Sequence, residues 1–228
     1  MGRRVFWAVF APTRNQAVET GVGVPRVGYT SRAMPALPAE APLTYEEYLQ
    51  FEQGVDARHE FIDGDILAMA GGTRRHVILK SRFATELTLS LGRGAPCRVE
   101  DSDTRIVVDR GTKLNAYYPD AVVICGEGET HSRDRDGGVI NPVLLVEVTS
   151  PNTEKRDRGV KLDEYRLLPS LREYVIVSHV REEVEIWSRA TADAAWTRRV
   201  FTKGETARLQ LGVSISVDEL YKEPLPPR

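Results

Sequence analysis

The sequence predicts an α/β protein built on a central mixed sheet. Three observations carry that prediction. Apolar residues recurring every four positions mark a long helix over 76–91. Three apolar strand candidates follow it, at 98–108, 117–125 and 143–148. A second helix over 158–168 then leads to another strand at 172–178. Helix, three strands, helix, strand is the core, with added N- and C-terminal strands.

The elements can be justified in order. Residues 1–42 lack sustained periodicity and are broken by Gly21, Gly23, Pro25, Pro35, Pro38 and Pro42. They are expected to form a disordered leader. Met34 opens MPALPAEAPLTYEEYLQF and reads like a natural protein start. The apolar run VFWAVFA after Arg3 and Arg4 is too short for a secretory signal and ends at Pro12. The domain spans 43–221, and 222–228 is expected to be a loose tail.

Thr44 followed by Glu46 and Glu47 is a helix start, because a hydroxyl cap and early acids suit the exposed amides. That helix should stop at Gly54. In HEFIDGDILAMA, Asp63-Gly64 between apolar runs signals a hairpin, closed by Gly71-Gly72. Leu79, Phe83, Leu87 and Leu91 give the next helix one buried stripe, and Gly92 and Gly94 end it. The apolar strands suit a sheet covered on one or both faces. The glycine-rich stretch GEGETHSRDRDGG is expected to be a mobile surface loop. Pro169 ends the second helix. EVEIWS alternates as a half-exposed strand, and strands near 196–201 and 207–215 complete the run.

Composition narrows the function. Of 228 residues, 41% are hydrophobic and 28% charged, which is enough for a sizeable core without structural metal. The net charge is -2, so no global basic field coats nucleic acid. An enzyme touching a few phosphates in one cleft needs none. The two cysteines, Cys97 and Cys125, have no zinc spacing. They are expected to be reduced, buried thiols of a cytoplasmic protein, with a disulfide as the alternative. No apolar run approaches the roughly 20 residues needed to span a bilayer, so no membrane partner is expected.

Two strands each carry an out-of-place carboxylate. Pro119 cannot donate to a sheet ladder, so it belongs at a strand start, with Asp120 at the mouth. Alternation puts Asp120 on the face of Val122 and Ile124. Glu147 lies near the end of an apolar run, on the face of Val143 and Leu145. A lone buried carboxylate is costly unless paired, protonated or cation-bound. Neighbouring strands lie about 4.8 Å apart, so the two acids could share one divalent ion. Magnesium suits them, since it takes hard oxygen ligands and keeps several waters. Manganese is the substitute. Lys161 stands in the helix after Glu147, with Asp157 and Tyr165 one turn away on the same face. Its ammonium is the candidate stabiliser of an attacking hydroxide and of phosphorane charge.

The segments PDAVVI, PVLLVEVTSPNT and DRGVKLDEY followed by LREYVIV resemble the Uma-type family of restriction endonucleases, within the PD-(D/E)XK nuclease superfamily. HEFIDGDILAMAGGT, the helix from His76 and VEDSDTRIVV share the likeness, which runs from about Leu43 to Tyr221. The resemblance implies a restriction-endonuclease-like core and magnesium-dependent cleavage of DNA. It assigns the Pro-Asp acid to Asp120 and the second acid to Glu147. Thr149 stands where the short motif expects lysine, and the resemblance matches Lys161, from the following helix, to that role. Lys155 is a weaker substitute on a loop.

Glu60, His76 and Asp103 are second-rank site candidates, each with a plain surface or capping role as the alternative. Lys155, Arg156 and Arg158 are candidate phosphate contacts, or a solvated cluster balanced by Glu154 and Asp157. The leading function is a magnesium-dependent endonuclease acting on DNA. Two alternatives stay open. One is a non-catalytic nucleic-acid-binding or regulatory protein of the same fold. The other is a homodimeric interaction module using the C-terminal strands around Val184, Ile186 and Trp196.

Overall fold

The computed structural model describes residues 42–69, 71–92, 96–135 and 137–226. Apart from Pro42, the leader, its Met34 start and its short apolar run lie outside the described residues.

The chain begins with α1 (Tyr45–Gln53), whose cap is a full capping box. Thr44 Oγ1 accepts from Glu47 N–H, and the Glu47 carboxylate accepts from Thr44 N–H. The hairpin of β1 (His59–Ile62) and β2 (Asp65–Ala68) follows. Its turn needs positive φ at both Asp63 (53°) and Gly64 (93°), which explains the Asp-Gly pair. α2 (Arg74–Leu91) is capped by Thr73. Next come β3 (Cys97–Asp101), β4 (Arg105–Asp109), β5 (Leu114–Tyr117), β6 (Ala121–Cys125), β7 (Gly138–Val139) and β8 (Leu144–Val148). Short helices α3 (Glu154–Asp157) and α4 (Val160–Tyr165) lead to β9 (Glu173–Val177). β10 (Glu183–Ser188), β11 (Thr197–Thr202), β12 (Thr206–Arg208), β13 (Ser214–Ser216) and α5 (Val217–Leu220) complete the fold.

Two sheets organise these elements. One runs β2-β1-β5-β4-β7, and the other β11-β10-β9-β8-β6-β3. The second sheet is mixed: β3, β6 and β8 pair antiparallel, while β8 and β9 pair parallel across the α3–α4 crossover. The α2, β3, β6, β8, α4, β9 path is the expected helix, three strands, helix, strand. Its inner strands β6, β8 and β9 are buried on both sides because both faces are covered. Leu79, Phe83 and Leu87 of α2 pack on one face with Val123, Val146 and Val175. Leu162 and Tyr165 of α4 pack on the other with Val122, Leu145 and Ile176, alongside Ile106 and Tyr117 from the first sheet. α1 covers the far side of that first sheet, with Tyr45 and Tyr48 packed against Phe61 of β1. Each fully buried side chain of this kind contributes roughly 1.5–3 kcal/mol.

Several elements differ from the sequence reading. The 98–108 candidate is two strands in two different sheets. The turn between them is closed by Asp103 N–H donating to Asp101 Oδ1 and Thr104 N–H donating to the Asp101 carbonyl. The 117–125 candidate corresponds to β6, which starts after Pro119; β5, in the other sheet, overlaps it only at Tyr117 and was not expected. The second helix starts earlier than expected and is broken at Gly159.

The loop expected to be mobile is pinned by buried Asp134. That carboxylate takes both arms of Arg105, at 2.7 and 2.6 Å, and the Tyr45 hydroxyl at 2.6 Å. The two cysteines, expected to be reduced, form a disulfide. Sequence spacing alone did not reveal that β3 and β6 pair with Cys97 directly opposite Cys125. The tail, expected to be loose from 222, packs through 226. Leu225 is buried, and Arg75 and Arg82 donate to the carbonyls of Pro226 and Lys222.

Two predictions follow from buried charge. Removing one partner of a buried ion pair strands the other. Asp134→Ala should therefore destabilise the fold by about 3 kcal/mol in urea unfolding, whereas Arg105→Met combined with Asp134→Leu should recover much of that loss. Glu173, at the start of β9, is 1% exposed, and burial pushes its carboxyl up to about 7. The folded state then keeps a proton that the unfolded state releases from about pH 4.5 upward. Stability should fall as pH rises through that window, because the folded state binds more protons there. Glu173→Gln should remove this part of the fall and be more stable than the parent at pH 8 by about 2 kcal/mol, read from urea midpoints across pH.

Candidate active site

The ends of β6 and β8 bring the two strand acids together. β6 and β8 run antiparallel with Ala121 opposite Val146, so the next step of the register sets position 120 opposite 147. Their side chains then diverge. Asp120 precedes the first strand residue and does not follow the Val122–Ile124 face. Its Oδ2 accepts from the Val148 backbone N–H at 2.8 Å and bonds His76 Nε2 at 3.1 Å. Its Oδ1 lies 3.8 Å from Lys80 Nζ. Both residues belong to α2, where positions four apart share a face. Gly72 lets the His76 ring fold back, since a Cβ there would lie 2.4 Å from Nδ1.

Glu147 turns toward α4. Its Oε1 accepts from Lys161 Nζ at 2.8 Å and from the Tyr165 hydroxyl at 3.0 Å. Lys161 Nζ also lies 2.7 Å from Glu60 Oε1 and 3.6 Å from Asp157 Oδ1. All four of these charged side chains are buried. Arg156 adds an ion pair to Glu60 Oε2 at 2.5 Å.

Burial governs the protons of this cluster. It pulls the Lys161 ammonium down, but Glu147, Glu60 and Asp157 outweigh it and hold the amine above its ordinary value. Burial pushes the Glu147 carboxyl well up, against Lys161, with Asp157, Asp120 and Glu60 adding to the rise. Asp157 is raised by burial too. The amine therefore stays charged. Burial also raises the Tyr165 phenol, so that hydroxyl acts as a donor.

The other candidates divide. The structure brings Glu60 and His76 to the strand acids, Glu60 through Lys161 and His76 through Asp120. Asp103 stays outside, its side chain 71% exposed and 3.7 Å from Arg58. Arg158 is tied to Glu185, Glu183 and Glu154, in a network away from the acids. Lys155 is exposed. Thr149 does not reach the acid cluster; its hydroxyl bonds His179 Nδ1 at 2.9 Å. Lys80 was missed. Its signal was the His76–Lys80 spacing on a helix whose buried stripe was already assigned.

A divalent ion can be tested against these donors. Among the described residues, no three His, Cys, Asp or Glu side chains form a cage for a metal ion. Magnesium usually keeps several waters and needs only one or two carboxylates. The hydrogen bonds to Glu147 fall on Oε1 and those to Asp120 on Oδ2, leaving Oε2 and Oδ1 without donors among the described residues. Each acid thus keeps one oxygen open to a cation.

The Uma2 family model, described as "Putative restriction endonuclease", matches residues 45–219. The chain belongs to this family. Two uncharacterized Synechocystis sp. proteins are similar to it. One, slr1290, is 33% identical over 79% of this chain and 92% of its own length. The other, sll1609, is 30% identical over 68% of this chain and 84% of its own. A crystal structure of "a putative nuclease belonging to DUF820" from Anabaena variabilis is similar in fold, with a TM-score of 0.63 at 14% identity. It covers 79% of this chain and 98% of that one. Among the described residues, no helix is long and apolar enough to cross a membrane.

Removing Lys161 would leave three buried carboxylates without their shared cation. Lys161→Ala should cost about 3–5 kcal/mol in urea unfolding. Adding Glu60→Gln should restore part of the loss; a double variant no more stable than the single one would count against Lys161 as the cation that balances Glu60.

Proposed function

We propose that the protein is a metal-dependent endonuclease that hydrolyses DNA phosphodiester bonds in the cytoplasm. The observation that carries this reading is the pairing of Asp120 and Glu147 across β6 and β8, with Lys161 on Glu147. The family and the fold of the Anabaena protein support it.

Asp120 and Glu147 would hold magnesium or manganese. Bound there, the ion would polarise a phosphoryl oxygen and lower the pKa of a water. The protein's own groups supply orientation and charge. The Val148 amide and His76 fix the Asp120 carboxylate, while Tyr165 and Lys161 fix that of Glu147. Fixed carboxylates cost little reorganisation when charge develops. Lys161 keeps its proton, so its role is to offset negative charge; it does not serve as a base.

Plasmid DNA incubated with magnesium or manganese tests the reading. Wild type should nick or linearise it, and a chelator should stop the reaction. Asp120→Asn and Glu147→Gln should each slow cleavage by about 10²-fold or more while keeping the fold, as judged by circular dichroism. Cleavage that persists in both variants would refute the site. No cleavage by wild type of duplex or single-stranded DNA with either ion would refute the function.

A further inference from the structure

We propose that Lys80 is the phosphate-binding residue of this site, contacting the nucleic-acid backbone beside Asp120. The inference rests on the nuclease reading and adds a residue that neither the family match nor the acid–lysine pattern names.

Geometry separates the two lysines. Lys161 has three carboxylate partners within 3.6 Å, and its side chain is 4% exposed. Glu147 at 2.8 Å and Glu60 at 2.7 Å take two of its three protons, and Asp157 faces it as an ion pair at 3.6 Å. A phosphate outside the cluster cannot reach it. Lys80 differs on each count. Its side chain is 29% exposed, and its one hydrogen bond goes to Ser102 Oγ at 3.0 Å. Asp120 Oδ1, at 3.8 Å, is beyond hydrogen-bonding distance. Asp120 already has the Val148 amide and His76 on Oδ2, so it does not depend on Lys80. Two ammonium protons are therefore left for a ligand, a few ångströms from a proposed metal ligand.

The neighbouring basic side chains are engaged elsewhere. Arg156 is held at 2.5 Å by Glu60, and Arg58 faces Asp103 at 3.7 Å. His76 is spent on Asp120. Ser102, on the β3–β4 turn, and α2 together aim the Lys80 amine across the carboxylate. A phosphate placed against the free oxygen of Asp120 would meet that amine first. The carboxylate and the phosphate are both negative, so a cation between them also lowers the repulsion of approach.

A phosphate contact has a signature that a structural role lacks. Each phosphate neutralised by a cationic side chain steepens the salt dependence of binding by about 0.9 in log–log slope on duplex DNA, and about 0.7 on single strands. Binding is measured by fluorescence anisotropy with a labelled duplex and with its separated strands, in chelator so that nothing is cleaved. Wild type, Lys80→Gln and Lys80→Arg are titrated across salt. Lys80→Gln should lower the slope by one such step and weaken binding at low salt. Lys80→Arg should keep the wild-type slope. Matching circular dichroism and urea midpoints for the three proteins exclude a folding effect, and the Arg variant keeps the test valid should Gln unfold the helix.

An unchanged slope in Lys80→Gln overturns this proposal and leaves the nuclease reading standing. A slope lowered equally by Lys80→Arg also overturns it, since charge would then not be the cause. Wild type that binds neither probe removes both.

Discussion

A single buried ammonium joins the two sheets of this protein. Lys161 reaches Glu147 on the six-stranded sheet and Glu60 on the five-stranded one, and Asp157 closes the third side. Buried charge is tolerated only when paired, and removing one partner strands the rest. The elements bearing these residues are therefore tied to one another. The β1 hairpin must bring Glu60 inward, β8 must present Glu147 near its end, and α4 must begin where it does. Three carboxylates surround one amine, and burial raises Glu147 and Asp157, with the neighbouring acids adding to the rise. The same acids make the region receptive to a cation.

That constraint accounts for the displaced lysine. Position 149 lies just past β8, and its hydroxyl pairs with His179. The amine instead comes from α4, the helix that packs on the face Glu147 points to. Gly159 breaks the crossover between α3 and α4, so that Asp157 and Lys161 sit on separate short helices yet remain 3.6 Å apart. What chemistry requires is the position of the ammonium, and a helix on the correct face supplies it as well as a strand could.

Much of this was legible in the chain. Capping at Thr44, the Asp63-Gly64 turn and the Leu79–Phe83–Leu87 stripe are local signals, and local physics decided them. So was the sequence order of the core, because apolar strands covered on both faces look alike wherever they pair. Pairing itself was not legible. β5 was missed except for Tyr117, and β4 read as a continuation of β3, since a strand carries no mark of which sheet it joins. The disulfide and the pinned loop were missed for the same reason: Cys125 needs Cys97 opposite it, and Asp134 needs Arg105, through contacts 28 and 29 residues apart. Glu60 was only a second-rank candidate because a four-residue strand does not reveal which of its faces is covered. Asp120 departed from its expected face because strand alternation does not extend to the residue before the first ladder pair.

The division between an inner and an outer cation follows from the net charge of the chain. A protein at -2 has no general field to draw in DNA, so attraction must be local. A buried amine surrounded by acids cannot provide it, since its field is cancelled at close range. The cation that meets an approaching phosphate must be partly exposed and only lightly engaged, yet close to the acids. Lys80 meets those conditions through its place on α2, one turn after the histidine that fixes Asp120. One helix face would then both orient a carboxylate and receive the ligand, while the crossover helix balances charge from within. The two lysines are not interchangeable on this view, because one is placed to offset charge inside the protein and the other to meet charge arriving from outside.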